Sequence, residues 1–348
     1  MNMERILKKK ELEAWLEGLG LDREIIGPQR QGERIVFAPL ASAGALVFDF
    51  GNSDMSPKEF FFPQTEALMR FGKDGDREYK AEPGLARQRA LVNIRPCDAR
   101  AVAMLDRVFL QDENTADPYW RDKRDKTLLV GLACNRPCEA CFCTSMGGGP
   151  QDTEGLDILL TDLGEDLVLE PVTERGRNLV SLLPRATAED LEKAGRLKAE
   201  AEESLKCGDE GISLESLDRA DVLKVYDLPI WDKVFETCLN CGVCTFCCPT
   251  CHCFDIQDES KGLGPDCGRR VRNWDTCMSW LFTKHASGHN PRGTKKHRVR
   301  QRFMHKLVYM PRKIGLHGCV GCGRCVIQCP VNIDIRAIAR ALNEEVNS

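Results

Sequence analysis

No stretch of the 348 residues approaches the apolar length, about twenty positions, that a membrane-crossing helix needs. The nearest, Val36 to Phe50, is interrupted. No direct membrane insertion is therefore expected. Nucleotide fingerprints are also missing: no Gly-x-Gly-x-x-Gly, no Walker loop and no nucleophile elbow occurs. Gly147-Gly148-Gly149 is too short to serve as one and reads as a turn. From Thr276 to Ile333 there is no Asp or Glu, while Lys284, Arg292, Lys295, Lys296, Arg298, Arg300, Arg302, Lys306, Arg312, Lys313 and Arg324 all lie there. Without interleaved aromatics or a recognition motif, that basic stretch does not point to nucleic acid. It reads either as a solvated helix face or as a counter-charge to something anionic nearby. The amino terminus carries charges where a signal peptide needs its apolar region, so the expected location is cytoplasmic.

Cysteine is the residue present in excess. Nineteen of them in a reducing compartment are expected to stay reduced or bound to metal rather than pair as disulfides. Eight fall into two copies of one device. The first is Cys238-x2-Cys241-x2-Cys244-x3-Cys248-Pro249, and the second Cys319-x2-Cys322-x2-Cys325-x3-Cys329-Pro330. Three thiols at this interval can reach three corners of an iron–sulfur cubane, while the fourth, beside a proline that stops the local helix, points away to a neighbouring cubane. The expected ligand sets are thus crossed: Cys238, Cys241, Cys244 and Cys329 on one 4Fe-4S cluster, and Cys319, Cys322, Cys325 and Cys248 on the other. Zinc uses two Cys-x2-Cys pairs and has no use for a third evenly spaced thiol. Cys247 falls outside the spacing and reads as a bystander.

With 42% hydrophobic and 29% charged residues the chain can bury an ordinary core, and its length suggests two or three domains. A charged amphipathic helix is expected over Lys8 to Gly18, with strands at Arg34 to Ala38, Gly44 to Phe50, Ala90 to Ile94, Thr127 to Ala133, Leu156 to Leu163 and Asp166 to Val172. Thr187-Ala-Glu-Asp190 is a capping box opening a helix from about Ala188 to Leu205. Helices are expected again over His297 to Lys306 and Asp334 to Glu345. Two cluster motifs at helix starts, separated by helices, resemble the helical ferredoxin domain of electron-transfer subunits, and the class this implies is α+β: an N-terminal α/β domain (1–186), a helical linker (187–227) and an all-α helical ferredoxin domain (228–348) with two clusters.

A third constellation lies in the N-terminal half: Cys97, Cys134, Cys138, Cys141 and Cys143. A further cubane, structural zinc and unliganded thiols all fit five such residues, and the spacing alone does not choose four ligands from five. Cys207, Cys247, Cys251, Cys253, Cys267 and Cys277 carry weaker signals. Cys251-His252-Cys253 could join Cys267 or Cys277 in holding another metal, or these can be plain buried thiols. The six histidines read as structural hydrogen-bond donors.

Arg95-Pro-Cys97-Asp98, Cys141-Phe-Cys143-Thr-Ser-Met-Gly, Cys248-Pro-Thr-Cys-His-Cys-Phe, Gly288-His-Asn-Pro-Arg292 and the closing ferredoxin motif resemble the iron–sulfur subunit family that includes the A subunit of anaerobic sulfite reductase and the β subunit of soluble sulfhydrogenases. The resemblance runs from about Ile94 to the end. It implies a non-catalytic electron-transfer subunit of an anaerobic oxidoreductase complex, with an NAD(P)H-oxidising flavoprotein and a catalytic redox subunit as partners. It also implies Cys97, Cys134, Cys141 and Cys143 as ligands of a third cluster, with Cys138 an extra thiol. A catalytic iron–sulfur reductase acting on a sulfur compound is the alternative.

Overall fold

The computed structural model describes residues 3–74, 76–209, 212–260 and 267–347, and the side chains of 73–79 and 207–209, Cys207 among them, lie outside that description. Eleven strands occur among the described residues: β1 (Arg5–Lys8), β2 (Arg23–Gln31), β3 (Arg34–Pro39), β4 (Thr65–Asp74), β5 (Asp76–Ala81), β6 (Gln88–Ile94), β7 (Thr127–Leu132), β8 (Ile158–Asp162), β9 (Asp166–Pro171), β10 (Phe254–Ser260) and β11 (Gly268–Trp274). They form a seven-stranded sheet ordered β1-β9-β8-β7-β6-β2-β3 and a four-stranded sheet ordered β10-β11-β4-β5.

In the larger sheet β2, β6, β7 and β8 run parallel, flanked by antiparallel edges. Both faces of its centre are covered, which explains why β6 and β7 read as continuous apolar runs. Leu91 and Leu129 face a core with Phe61, Phe62, Leu105 and Trp120, while Ala90, Val92, Leu128 and Val130 face Leu7, Leu16 and Leu19. The expected strands at Arg34, Ala90, Thr127, Leu156 and Asp166 are all found. Gly44 to Phe50 is not a strand. It packs as irregular chain beside the sheet, tied by Val47 N donating to Pro28 O at 2.9 Å and by Asn93 Nδ2 donating to Val47 O at 3.0 Å.

The expected all-α C-terminal domain is overturned. Between the two cysteine motifs the chain forms the β10–β11 hairpin, and β11 pairs antiparallel with β4 of the N-terminal half. The N-terminal half likewise contributes to two sheets rather than one. Periodicity gave little warning, because nearly all of β10 is exposed and its apolar alternation ends after Phe254 and Ile256. Cross-strand ion pairs Arg269–Glu259 (2.7 Å) and Arg270–Asp258 (2.7 Å) supply the register instead.

Helices elsewhere follow their sequence signals. Thr187 and Asp190 exchange the two capping-box bonds at the start of Ala188–Asp209, Asp190 N to Thr187 Oγ1 at 3.2 Å and Thr187 N to Asp190 Oδ2 at 2.8 Å. In Ile335–Asn347, Ile335, Ile338, Ala339 and Leu342 face a core with Trp231, Met304 and Leu307. Phe142, from the N-terminal cysteine loop, is inserted into that same core. No helix among the described residues is long and apolar enough to cross a membrane.

Candidate functional site

The two repeated motifs adopt the same local shape. Asn240 (φ 60°) and Gly242 (φ 78°) in the first, and Gly321 (φ 68°) and Gly323 (φ 74°) in the second, occupy left-handed positions that turn the chain around its thiols. This curl aims main-chain amides at sulfur: Asn240 N donates to Cys238 Sγ at 3.3 Å and Gly321 N to Cys319 Sγ at 3.5 Å. Such bonds favour the thiolate form that binds metal. A side chain at Gly321 would strike Phe142 O, and one at Gly323 would lie 2.6 Å from Ala140 O. The second motif is thus pressed against the N-terminal cysteine loop, with Phe142 N donating to Gly321 O at 2.8 Å.

Cys238, Cys241, Cys244 and Cys329 line one cavity, walled by Met278, Val299, Phe303 and Ile335, and Cys325 also reaches it. Cys329 Sγ accepts from Ile333 N at 3.2 Å. Cys248 and Cys322, both buried, lie with the half-buried Cys319 and Cys325 in a group whose thiols interact electrostatically. Burial pushes the Cys319 thiol up to about 11. Cys247 is fully buried beside this group.

The N-terminal cysteines converge as well. Cys97 follows the C-terminal end of β6 at the start of the helix Pro96–Phe109, and Cys134 follows the end of its parallel neighbour β7. Adjacent parallel strands thereby deliver both to one rim. Cys97, Cys134, Cys138, Cys141 and Cys143 all line a second cavity, and Cys322 of the second motif closes it. Cys138 is not set apart, since it lines the same cavity as Cys141 and its thiol accepts from Asn52 Nδ2 at 3.9 Å. Asn52, which no sequence signal marks, joins these elements. Its Nδ2 donates to Cys322 O at 2.7 Å and to Cys141 Sγ at 3.8 Å, and its Oδ1 accepts from Cys97 Sγ at 3.7 Å.

Part of the basic stretch turns inward: Arg298, Arg300, Arg302, Lys306 and Arg324 are buried, while Lys284 and Lys313 stay exposed. Each thiol group has a cation. Arg302 lines the first cavity and donates to Cys244 O at 3.3 Å. Lys306, on the π-helical turn His305–Tyr309, donates to Cys248 Sγ at 3.2 Å, Thr250 Oγ1 at 2.8 Å and Gly318 O at 2.8 Å. Burial alone would lower its pKa, yet the thiolates of Cys248, Cys251 and Cys319 outweigh that and hold it above the ordinary lysine value. Arg324 makes a two-pronged pair with Asp98, both bonds 2.7 Å, and donates to Ser53 O at 2.8 Å. Burial drops His252 to about 4 and His305 to about 3, so both are neutral at pH 7.

Among the described residues no three of His, Cys, Asp and Glu converge closely enough for one metal ion. Thiolates around a single zinc must crowd to within about 4 Å of one another, whereas a cubane carries one iron per ligand and spreads them around a cavity. Soft sulfur donors ringing a cavity, amides aimed at sulfur and buried cations fit a 4Fe-4S cluster. Cys267 stands apart from Cys251 and Cys253. It precedes β11 at the hairpin tip, roughly a seven-residue strand, about 20 Å, from the end that carries Cys253.

Residues 237–333 match the family described as "4Fe-4S dicluster domain". Over 321 residues the chain is 30% identical to sulfhydrogenase 2 subunit beta of Pyrococcus furiosus, an alignment that covers 89% of each protein. No solved structure matches the chain. The repeated motif, its cysteine-lined cavity and this similarity agree: the chain belongs to the iron–sulfur electron-transfer subunit family that includes the sulfhydrogenase β subunit.

Proposed function

We propose that the chain is a three-cluster relay, passing electrons between an NAD(P)H-oxidising flavoprotein and a catalytic redox subunit of a larger oxidoreductase. One observation carries this reading. Cys325 of the second motif reaches the first cavity and Cys322 reaches the N-terminal one, so the second thiol group lies between the other two. Three one-electron carriers in a row make a conductor, and each cluster, when bound, supplies single-electron exchange. The protein's own part is to hold the thiols, exclude water and place Arg302, Lys306 and Arg324 where added negative charge would otherwise be costly. The ligand sets follow the crossed pattern, with Cys97, Cys134, Cys141 and Cys143 on the third cluster. The catalytic alternative finds some support in an open polar cavity, lined by Arg95, Asn135 and Lys193, which shares Arg136 with the N-terminal thiol cavity.

Anaerobically purified chain should contain about twelve iron and about twelve sulfide, and should show no NAD(P)H oxidation or sulfite reduction until partner subunits are added. Eight iron would remove the third cluster. Turnover of a sulfur substrate by the chain alone would overturn the relay in favour of the reductase.

A further inference from the structure

Three pairs of thiols lie close enough to interact: Cys138 with Cys141, Cys248 with Cys251, and Cys253 with Cys277. The first two pairs each include a proposed cluster ligand. Cys253 and Cys277 do not, and among the described residues no third donor joins them.

Their position follows from the hairpin. Phe254 pairs with Trp274 at its open end, and Asp275 N donates to Cys253 O at 3.0 Å, which extends the pairing one step further. The chain then folds back through Thr276, so that Cys277 presents its thiol and its amide N–H to Cys253 Sγ. Cys277 is buried, whereas Cys253 is partly exposed. Both neighbours of Cys277 touch the first motif. Thr276 Oγ1 accepts from Thr245 Oγ1 at 2.7 Å, one residue from Cys244, and Met278 lines the first cavity and accepts from Asn240 Nδ2 at 2.5 Å. The pair therefore sits one layer of protein behind the wall of the first cavity, with Cys253 the more exposed of the two.

We propose that Cys253 and Cys277 form a reversible dithiol–disulfide centre that exchanges an electron pair, one electron at a time, with the cluster in the first cavity. This rests on reading that cavity as a cluster site. Oxidation joins Cys253 Sγ to Cys277 Sγ and releases two protons to solvent and two electrons into the cluster in successive single transfers. Reduction breaks the S–S bond and returns both. Because the two thiols already interact beside a paired hairpin end, bond formation needs little backbone movement. Such a centre would convert the single-electron traffic of the relay into a stored pair.

The test uses anaerobically purified, cluster-loaded chain poised over a range of potentials, then quenched in acid and alkylated for peptide mass analysis. Cys253 and Cys277 should pass together from alkylated thiols to one cross-linked peptide, with a two-electron slope of tenfold per about 30 mV. The oxidised parent should also take up about two more reducing equivalents per chain than Cys253→Ser, which keeps its full iron content. Cys277→Ser should behave alike, and if that buried change disturbs folding, the more exposed Cys253→Ser still decides. Thiols that remain alkylatable at every potential would overturn the proposal, as would loss of iron from Cys253→Ser, since Cys253 would then be a ligand. Absence of iron from the first site in the parent would instead sink the cluster reading, and iron analysis reveals that before any alkylation.

Discussion

At the residue scale the most informative side chain is Lys306. Its ammonium is buried and lies 3.2 Å from Cys248 Sγ, so it interacts more favourably with a cluster that has gained an electron than with one that has not. Lys306→Met should lower the reduction potential of the cluster proposed at Cys319, Cys322 and Cys325 by on the order of tens of millivolts, with iron content retained. An EPR-monitored redox titration checks this, and an unchanged potential would leave Lys306 only a packing role. The neighbouring cysteines give a sharper contrast. Cys247 and Cys248 are adjacent and both buried, yet only Cys248 bonds to Lys306. Cys248→Ala should therefore strip the second cluster, about four iron per chain, while Cys247→Ala keeps all of them. Equal iron loss in both variants would show that burial, not ligation, is what Cys248 provides.

At the element scale the β10–β11 hairpin depends on one buried cation. Arg272 of β11 pairs with Glu66 of β4 and with Asp117, and its guanidinium lies 5.2 Å from the Phe62 ring and 5.5 Å from the Phe254 ring. Asp117 at the same time caps the helix Pro118–Asp125 by accepting from Tyr119 N and Trp120 N at 2.9 Å. Removing the arginine leaves Asp117 without its counter-charge and Glu66 with only Lys123. Arg272→Ala should cost about 3–5 kcal/mol, the range for breaking a buried pair, and lower the urea midpoint accordingly. A midpoint close to that of the parent would mean that solvent already screens the group. None of this is visible in β10, whose apolar positions end at Ile256 and whose partner, β11, is itself paired with a strand about two hundred residues earlier in the chain.

At the scale of the whole molecule, the Arg324–Asp98 pair joins the second cysteine motif to the helix that carries Cys97, with both side chains 1% exposed. Arg324→Leu would strand the Asp98 carboxylate in the interior and loosen the contact between the second and N-terminal thiol groups. Iron should fall from about twelve to about four per chain, the remainder being the cluster of Cys238, Cys241 and Cys244. Retention of the N-terminal cluster would show that the two halves assemble independently. What the sequence determined by itself was the chemistry. Three ligands within seven residues, followed by Cys-Pro, are a local device that needs only a short turn to form, and the apolar runs of β6 and β7 announce a sheet buried on both faces. Only the tertiary structure decided what surrounds the thiols. Asn52, 270 residues from the carbonyl of Cys322 that it binds, the inward turn of the basic stretch, the hairpin that replaces an all-α domain and the meeting of Cys253 with Cys277 all depend on long-range contacts. Such contacts leave no periodic trace in the chain, because they depend on which residues of separate elements meet and not on the spacing within either element.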